Sequence, residues 1–244
     1  KWLAVAEQNC EFLYRELRVK DDLSGLFRWR RSWQRSGEPM ARHRALAADL
    51  AHLVDAFTRL GEATGKAIWI SRSIEVADEI IANYWDQING GLFTVAADAE
   101  QLIVRQKDLL DNATPSANST CANALLRLGA LTGDERLTQS ALQILRLFTR
   151  IATAAPSAFG NLLHAVYLQN RGITEIAITG NRPDLVESLA NRWMPTAVVT
   201  FGEPFDSPLW HDRRPGFAYV CQNYVCSAPA STVEQLHNAV ELIS

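Results

Sequence analysis

Between Asp98 and Asn118 the chain gathers Asp98, Glu100, Arg105, Lys107, Asp108 and Asp111 in one short stretch. Carboxyl groups set beside Arg and Lys are what sugar chemistry uses, one acid protonating a leaving oxygen while another acts as base or nucleophile. A further carboxylate, Asp49, falls inside the apolar pattern of Ala48-Asp49-Leu50-Ala51-His52. On that side of a helix it must be paired or face a polar cavity, because burying it alone is costly. His52 lies three residues on, near the same face. Beside an acid it reads first as a hydrogen-bonded structural residue, and His164 reads the same way.

Two thiols stand in Cys221-Gln222-Asn223-Tyr224-Val225-Cys226, a strand-like run. On a regular strand they point to opposite faces, so a disulfide or a shared metal needs a bulge or turn between them. No second Cys or Cys/His pair with zinc spacing follows, and His211 and His237 join only through folding. The pair reads first as buried free thiols and second as a redox pair. Arg28, Arg30 and Arg31 alternate with Phe27 and Trp29, with Arg35, Arg42 and Arg44 nearby, which describes a strand with an aromatic inner side and arginines turned to acids or solvent.

Helices must position these groups. Leu46, Leu50, Leu53, Val54, Phe57 and Leu60 recur at three- and four-residue steps, and Ile70, Ile74, Ala77, Ile81, Tyr84 and Ile88 trace a second stripe. Thr64-Gly65-Lys66 separates the two, so they form an αα-hairpin. Arg-Leu-Gly-x-x-Thr-Gly occurs at Arg59–Gly65 and again at Arg127–Gly133, where Leu137, Ala141, Ile144, Leu145, Phe148 and Ile151 continue the pattern. Repeated hairpins of this kind stack or close into a ring. A third hairpin is expected from Pro156 to Asn170. The connection 86–119 is long for two helix pairs and is read as carrying a small β-hairpin, Leu92–Val95 with Gln101–Arg105. From about Gly172 a strand (Glu175–Gly180), a helix (Pro183–Trp193) and a strand (Thr196–Phe201) form a βαβ unit, followed by a strand from Ala218 to Val225 and a last helix from Thr232 to Ile243 that opens on the capping box Ser231-Thr232-Val233-Glu234. The expected fold is mainly α, with hairpins over residues 1–171 and a small α/β unit over 172–244.

Composition sets outer bounds. The 244 residues carry 24 Lys and Arg against 27 Asp and Glu, a net charge of −3, which disfavours general nucleic-acid binding. No apolar run approaches the roughly 20 residues that cross a bilayer, so no membrane partner is expected. Four scattered cysteines make no disulfide framework and point to a reducing, cytoplasmic setting. No metal or cofactor is called for.

In order along the chain, Asp49-Leu50-Ala51-His52-Leu53, Gly90-Gly91-Leu92-Phe93, Asp98-Ala99-Glu100, Leu102–Asp108, Asp111–Ser119 and Ala218–Cys226 resemble the thioredoxin-domain-containing family typified by bacterial YyaL and the spermatogenesis-associated homologues of animals. The Asp-x-Ala-Thr-Pro-Ser-x-Asn-Ser loop and the terminal Ala-Tyr-Val-Cys with its second cysteine are the most specific segments. The resemblance implies an N-terminal thioredoxin-like domain followed by an (α/α)6 toroid similar to six-hairpin glycosidases and N-acylglucosamine 2-epimerases, with the Asp98–Asn118 stretch at its mouth. No Cys-x-x-Cys occurs in this chain, and it holds fewer helices than a closed six-hairpin ring needs, so it reads as the C-terminal part of a longer protein whose missing portion, with the thioredoxin-like domain, is an expected partner. On this footing the expected activity is on a carbohydrate, with Asp49 and Asp111 as acid and base. Arg105 and Lys107 would orient hydroxyls or an anion, Ser116 and Asn118 would hydrogen-bond the sugar, and His52, Asp98 and Glu100 would complete the lining. The alternative is a non-catalytic interaction module or a thiol-redox accessory of a thioredoxin-like domain, acting through Cys221 and Cys226.

Overall fold

The computed structural model describes residues 1–21, 25–35, 37, 40–99 and 103–243. The chain begins with α1 (Trp2–Leu17) and a three-stranded antiparallel sheet, β1 (Arg18–Lys20), β2 (Phe27–Gln34) and β3 (Met40–Arg44), in the order β1-β2-β3. Strand β2 keeps only part of its expected aromatic inner side: Trp29 is buried beside Phe57 and Arg28 reaches Asp98, but Phe27 is exposed, with Arg18 over its ring. The sheet around it was not expected, because Met40-Ala41-Arg42-His43-Arg44 offers almost no apolar alternation to announce β3.

The two hairpins are α2 (Ala47–Thr64) with α3 (Ala67–Asn83) and α4 (Ala117–Thr132) with α5 (Glu135–Ala154). Their shared motif has one physical explanation. Gly65 and Gly133 take left-handed φ values of 68° and 77°, and each donates its N–H to the earlier glycine of its motif, Gly61 or Gly129. Thr64 and Thr132 bond back to Leu60 and Leu128, and accept from Lys66 and Asp134 beyond the turn. A side chain on Gly61 would run into Ile70, and one on Gly129 into Thr138, so the motif also lets the paired helices close up.

Helix α4 is buried along its whole length from Ala117 to Leu131, enclosed by α2, α5 and α6 (Gly160–Arg171). This explains why its apolar pattern is continuous instead of striped. A third hairpin does not form: a 3-10 turn at Pro156–Ala158 leads into the single helix α6, which Gly172 ends at φ 78° before the chain enters β4 (Thr174–Ile178).

The remaining elements are α7 (Pro183–Ala190), β5 (Ala197–Thr200), β6 (Ala218–Gln222), β7 (Val225–Cys226) and α8 (Val233–Ile243). Their sheet has the order β5-β4-β6-β7, with β4 and β5 parallel across α7 and the other pairs antiparallel. Ile176, Ile178, Ala218 and Val220 pack under α7 and α8, while Ala177 and Val198 on the other face join the core of the helical layer. The expected strand from Ala218 to Val225 is broken, because Asn223 and Tyr224 have φ of 52° and 61° and form a two-residue hairpin turn. The cap of α8 lies one residue further on than expected: Gln235 N–H donates to Thr232 Oγ1, and the Gln235 side chain accepts from Ser231 N–H. No described helix is long and apolar enough to cross a membrane.

Candidate functional site

The polar loop between α3 and α4 is built from its own side chains. Asp86 accepts from the Ile88 and Asn89 N–H groups and lies 2.8 Å from Lys107 Nζ, which also donates to Gly90 O. The Lys107 ammonium and then these backbone donors hold the Asp86 carboxyl far below the ordinary carboxylate range. Arg105 lies over the Phe93 ring and donates to Val95 O at 2.8 Å. Asp98 is clamped by Arg28 and Arg44 at 3.0 and 2.8 Å. Asn118 accepts from Leu92 N–H and donates to Leu92 O and Asp108 O, and Ser116 caps α4 by accepting from Ser119 N–H. The expected β-hairpin is not formed among the described residues. Trp85 bridges Leu92, and Thr94 N–H meets Gln106 O, but no strand follows. Glu100, Gln101 and Leu102 lie outside the described residues.

The two acid/base candidates are similarly engaged. Asp49 Oδ2 accepts from Leu46 N–H at 2.8 Å, capping α2, and lies 3.6 Å from Arg31 Nε. Asp111 Oδ1 accepts from Ser116 N–H, and its Oδ2 accepts from Asn161 and Leu162 N–H at 2.8 and 3.1 Å. One carboxylate therefore ties the start of α4 to the start of α6, the position where helix ends favour negative charge. Both oxygens of Asp111 are committed to backbone donors, whereas Asp49 uses Oδ2 for its backbone bond and its side chain is partly exposed. His52 is exposed, and His164 Nδ1 pairs with Asn123 Oδ1 at 2.7 Å, with burial and then the nearby Arg127 and Arg59 lowering its pKa.

A different set of groups converges at the far end of α4. Cys221 and Cys226 form a disulfide, which overturns the expectation of free thiols. The turn at Asn223-Tyr224 folds β7 back so that the two cysteines stand opposite each other in register, on the same face instead of opposite faces. Cys221 is wholly buried, while Cys226 is half-buried on the sheet's last strand beside the exposed Val225. Arg213 Nη2 donates to Cys226 Sγ at 3.1 Å, and its guanidinium lies 4.6 Å over the Tyr219 ring. Glu175, 3% exposed, is the register partner of Cys221 on β4, so Glu175, Cys221 and Cys226 form one row across three strands. The Glu175 carboxylate accepts from Tyr224 N–H at 3.1 Å, holding the turn that joins the cysteines. Burial pushes its pKa above the ordinary range, and the turn's N–H groups offset this only in part. The remaining cysteines differ: Cys10 and Cys121 are buried free thiols, and burial pushes Cys121 up to about 12.

Sequence reasoning found the cysteines but not Arg213 or Glu175. Glu175 sits in a run read as plain strand. Nothing in the spacing of Arg213 connects it to a sulfur thirteen residues on.

No family model matches the chain. It is similar to spermatogenesis-associated protein 20 of Homo sapiens, 29% identical over a 198-residue alignment that covers 74% of this chain and 25% of that protein. The same protein of Rattus norvegicus is 27% identical over the same shares, and an uncharacterized protein of Caenorhabditis elegans is 23% identical over 79% of this chain and 28% of its own length. The chain thus spans about a quarter of the length of the curated relatives it matches. These likenesses bear out the resemblance to the spermatogenesis-associated homologues.

Proposed function

We propose that this relative of spermatogenesis-associated protein 20 serves as a thiol-redox accessory, its Cys221–Cys226 disulfide exchanging with a dithiol. The observation that carries the reading is the Arg213 guanidinium on Cys226 Sγ. A fixed cation beside a sulfur lowers the thiol's pKa and stabilises the thiolate that exchange requires. The disulfide closes only a five-residue separation, so by loop entropy its removal costs about 2 kcal/mol, little enough for a folded dithiol state to persist. The resemblance implies a thioredoxin-like domain in the whole protein, and such a domain is the natural dithiol partner.

The test is native-state reduction of the full chain by dithiothreitol, read by thiol alkylation and mass spectrometry. One new alkylation in the native state, at the half-buried Cys226, is expected, with Cys221 labelled only after unfolding and the buried Cys10 and Cys121 still protected. A disulfide that opens only when the chain unfolds would overturn the reading.

A carbohydrate-directed reading rests on the resemblance to six-hairpin toroids, and the Asp111 carboxylate it would use is bonded to three backbone N–H groups. Screening the full-length protein against mono- and disaccharides for hydrolysis and epimerisation tests it, and silence across both assays would remove it.

A further inference from the structure

Exchange at a half-buried disulfide needs more than an accessible sulfur. Among the described residues it is Cys226 that stays partly exposed, since Cys221 is wholly buried. An incoming thiolate that bonds to Cys226 Sγ therefore expels Cys221 as the leaving group, and a bare thiolate left inside an apolar sheet is costly. The leaving sulfur needs a proton from a group already inside. Glu175 stands next to Cys221 in the strand row, on the same face of the sheet.

Glu175, though buried, also borders a cavity. A cavity of about 560 Å³ is lined by Glu175, Gln222, Asn223 and Tyr224 with Glu135 and Gln139. Resting on the redox reading above, we propose that Glu175 is the proton donor and acceptor for Cys221, reloaded through this cavity.

The partner's thiolate forms a bond to Cys226 Sγ as the Cys221–Cys226 bond breaks. The electron pair of the broken bond goes to Cys221 Sγ, which takes the proton of the Glu175 carboxylic acid, leaving a carboxylate. The partner's second thiolate then attacks its own sulfur in the mixed disulfide, and Cys226 departs as a thiolate beside Arg213. The dithiol partner is oxidised to a disulfide and the Cys221–Cys226 pair is reduced. Burial keeps the acid form of Glu175 populated above the usual carboxyl range, in keeping with the donor role. The charged and titratable groups around it are Tyr224 and Glu135 at the cavity, Arg171 on its rim, Cys221 beside it and Arg213 at the far sulfur. Tyr224 is pushed up to about 12 by burial and then by Glu175, so it stays neutral throughout the range in which the acid titrates.

The experiment follows the reduction of the full chain by dithiothreitol as a function of pH, expressed per attacking thiolate. In the wild type this normalised rate falls as pH rises through the Glu175 pKa. Glu175→Gln, which keeps an acceptor for the Tyr224 N–H, gives a flat profile and, on the acid side, a rate on the order of a hundredfold lower, the scale of a positioned acid. Glu175→Asp keeps the pH dependence. A flat wild-type profile, or one that Glu175→Gln leaves unchanged, overturns the proposal while leaving the redox reading in place. A native disulfide that resists dithiothreitol at every pH overturns both, and the wild-type profile decides the matter even if the variants fold poorly.

Discussion

Nη2 of Arg213 lies 3.1 Å from Sγ of Cys226, and the guanidinium is fixed there by the Tyr219 ring beneath it and by Leu209 O, which accepts from its Nε at 3.3 Å. Held from two sides, the cation does not need to reorganise when charge appears on the sulfur. Arg213→Met should therefore raise the pKa of the Cys226 thiol in the reduced protein and slow its alkylation by iodoacetamide at neutral pH by about tenfold, one pKa unit. Unchanged circular dichroism would show that the fold is kept. An alkylation rate equal to that of the wild type would mean the contact does nothing for the thiolate.

The buried pair of Arg127 and Glu62 should be the most sensitive polar contact in the molecule. Arg127 Nη2 lies 2.8 and 3.0 Å from the two Glu62 oxygens and donates to Ala197 O, while Glu62 also accepts from Val199 N–H. The side chains are only 4% and 11% exposed, and the cluster links α2, α4 and β5. Glu62→Ala strands a buried guanidinium and should cost about 3–5 kcal/mol in urea unfolding, whereas the double change Arg127→Met with Glu62→Leu should cost less than either single loss.

Asp111 offers a direct contrast between structure and catalysis. Its carboxylate serves three backbone N–H groups at the starts of two helices, so Asp111→Ala should lower stability by about 2 kcal/mol, at the upper end for a lost helix cap. Hydrogen exchange should rise first at Asn161 and Leu162. A thermal midpoint equal to that of the wild type would show that the cap is dispensable.

The Asp86–Lys107 contact gives a prediction in pH. A carboxyl whose pKa is depressed in the folded state contributes stability that is complete above its unfolded value and is lost only as pH falls through the depressed one. Protection of the loop between α3 and α4 from proteolysis should therefore survive at about pH 4, where ordinary carboxylates are half protonated. Asp86→Asn should lose part of that protection already at neutral pH, and a wild-type loop that opens in step with the ordinary carboxylates would contradict the assignment.

The helices were legible because their signals are local. The stripe of α2 and the Thr-Gly stops after α2 and α4 depend on residues within a turn of each other, and the structure reproduces them down to the hydrogen bonds of the repeated motif. The roles of the polar loop residues were not legible. Asp49, Asp98, Arg105, Lys107, Asp111 and Asn118 have the right chemical types for a sugar site, but their partners are backbone groups and arginines that only folding brings near, such as Arg28 and Arg44 on Asp98. A list of donors and acceptors does not say whether they face a ligand or one another.

The cysteines show the division most clearly. The sequence alone determined that two thiols share a strand-like run and that a turn must lie between them if they are to meet. Only the tertiary structure decided that Asn223 and Tyr224 supply that turn, that Cys221 is sealed while Cys226 stays reachable, and that Arg213 and Glu175 arrive from β-sheet neighbours and a distant loop. The physical reason is that the reactivity of a sulfur depends on burial and on the charges within a few ångströms, and both are properties of packing across strands instead of spacing along the chain.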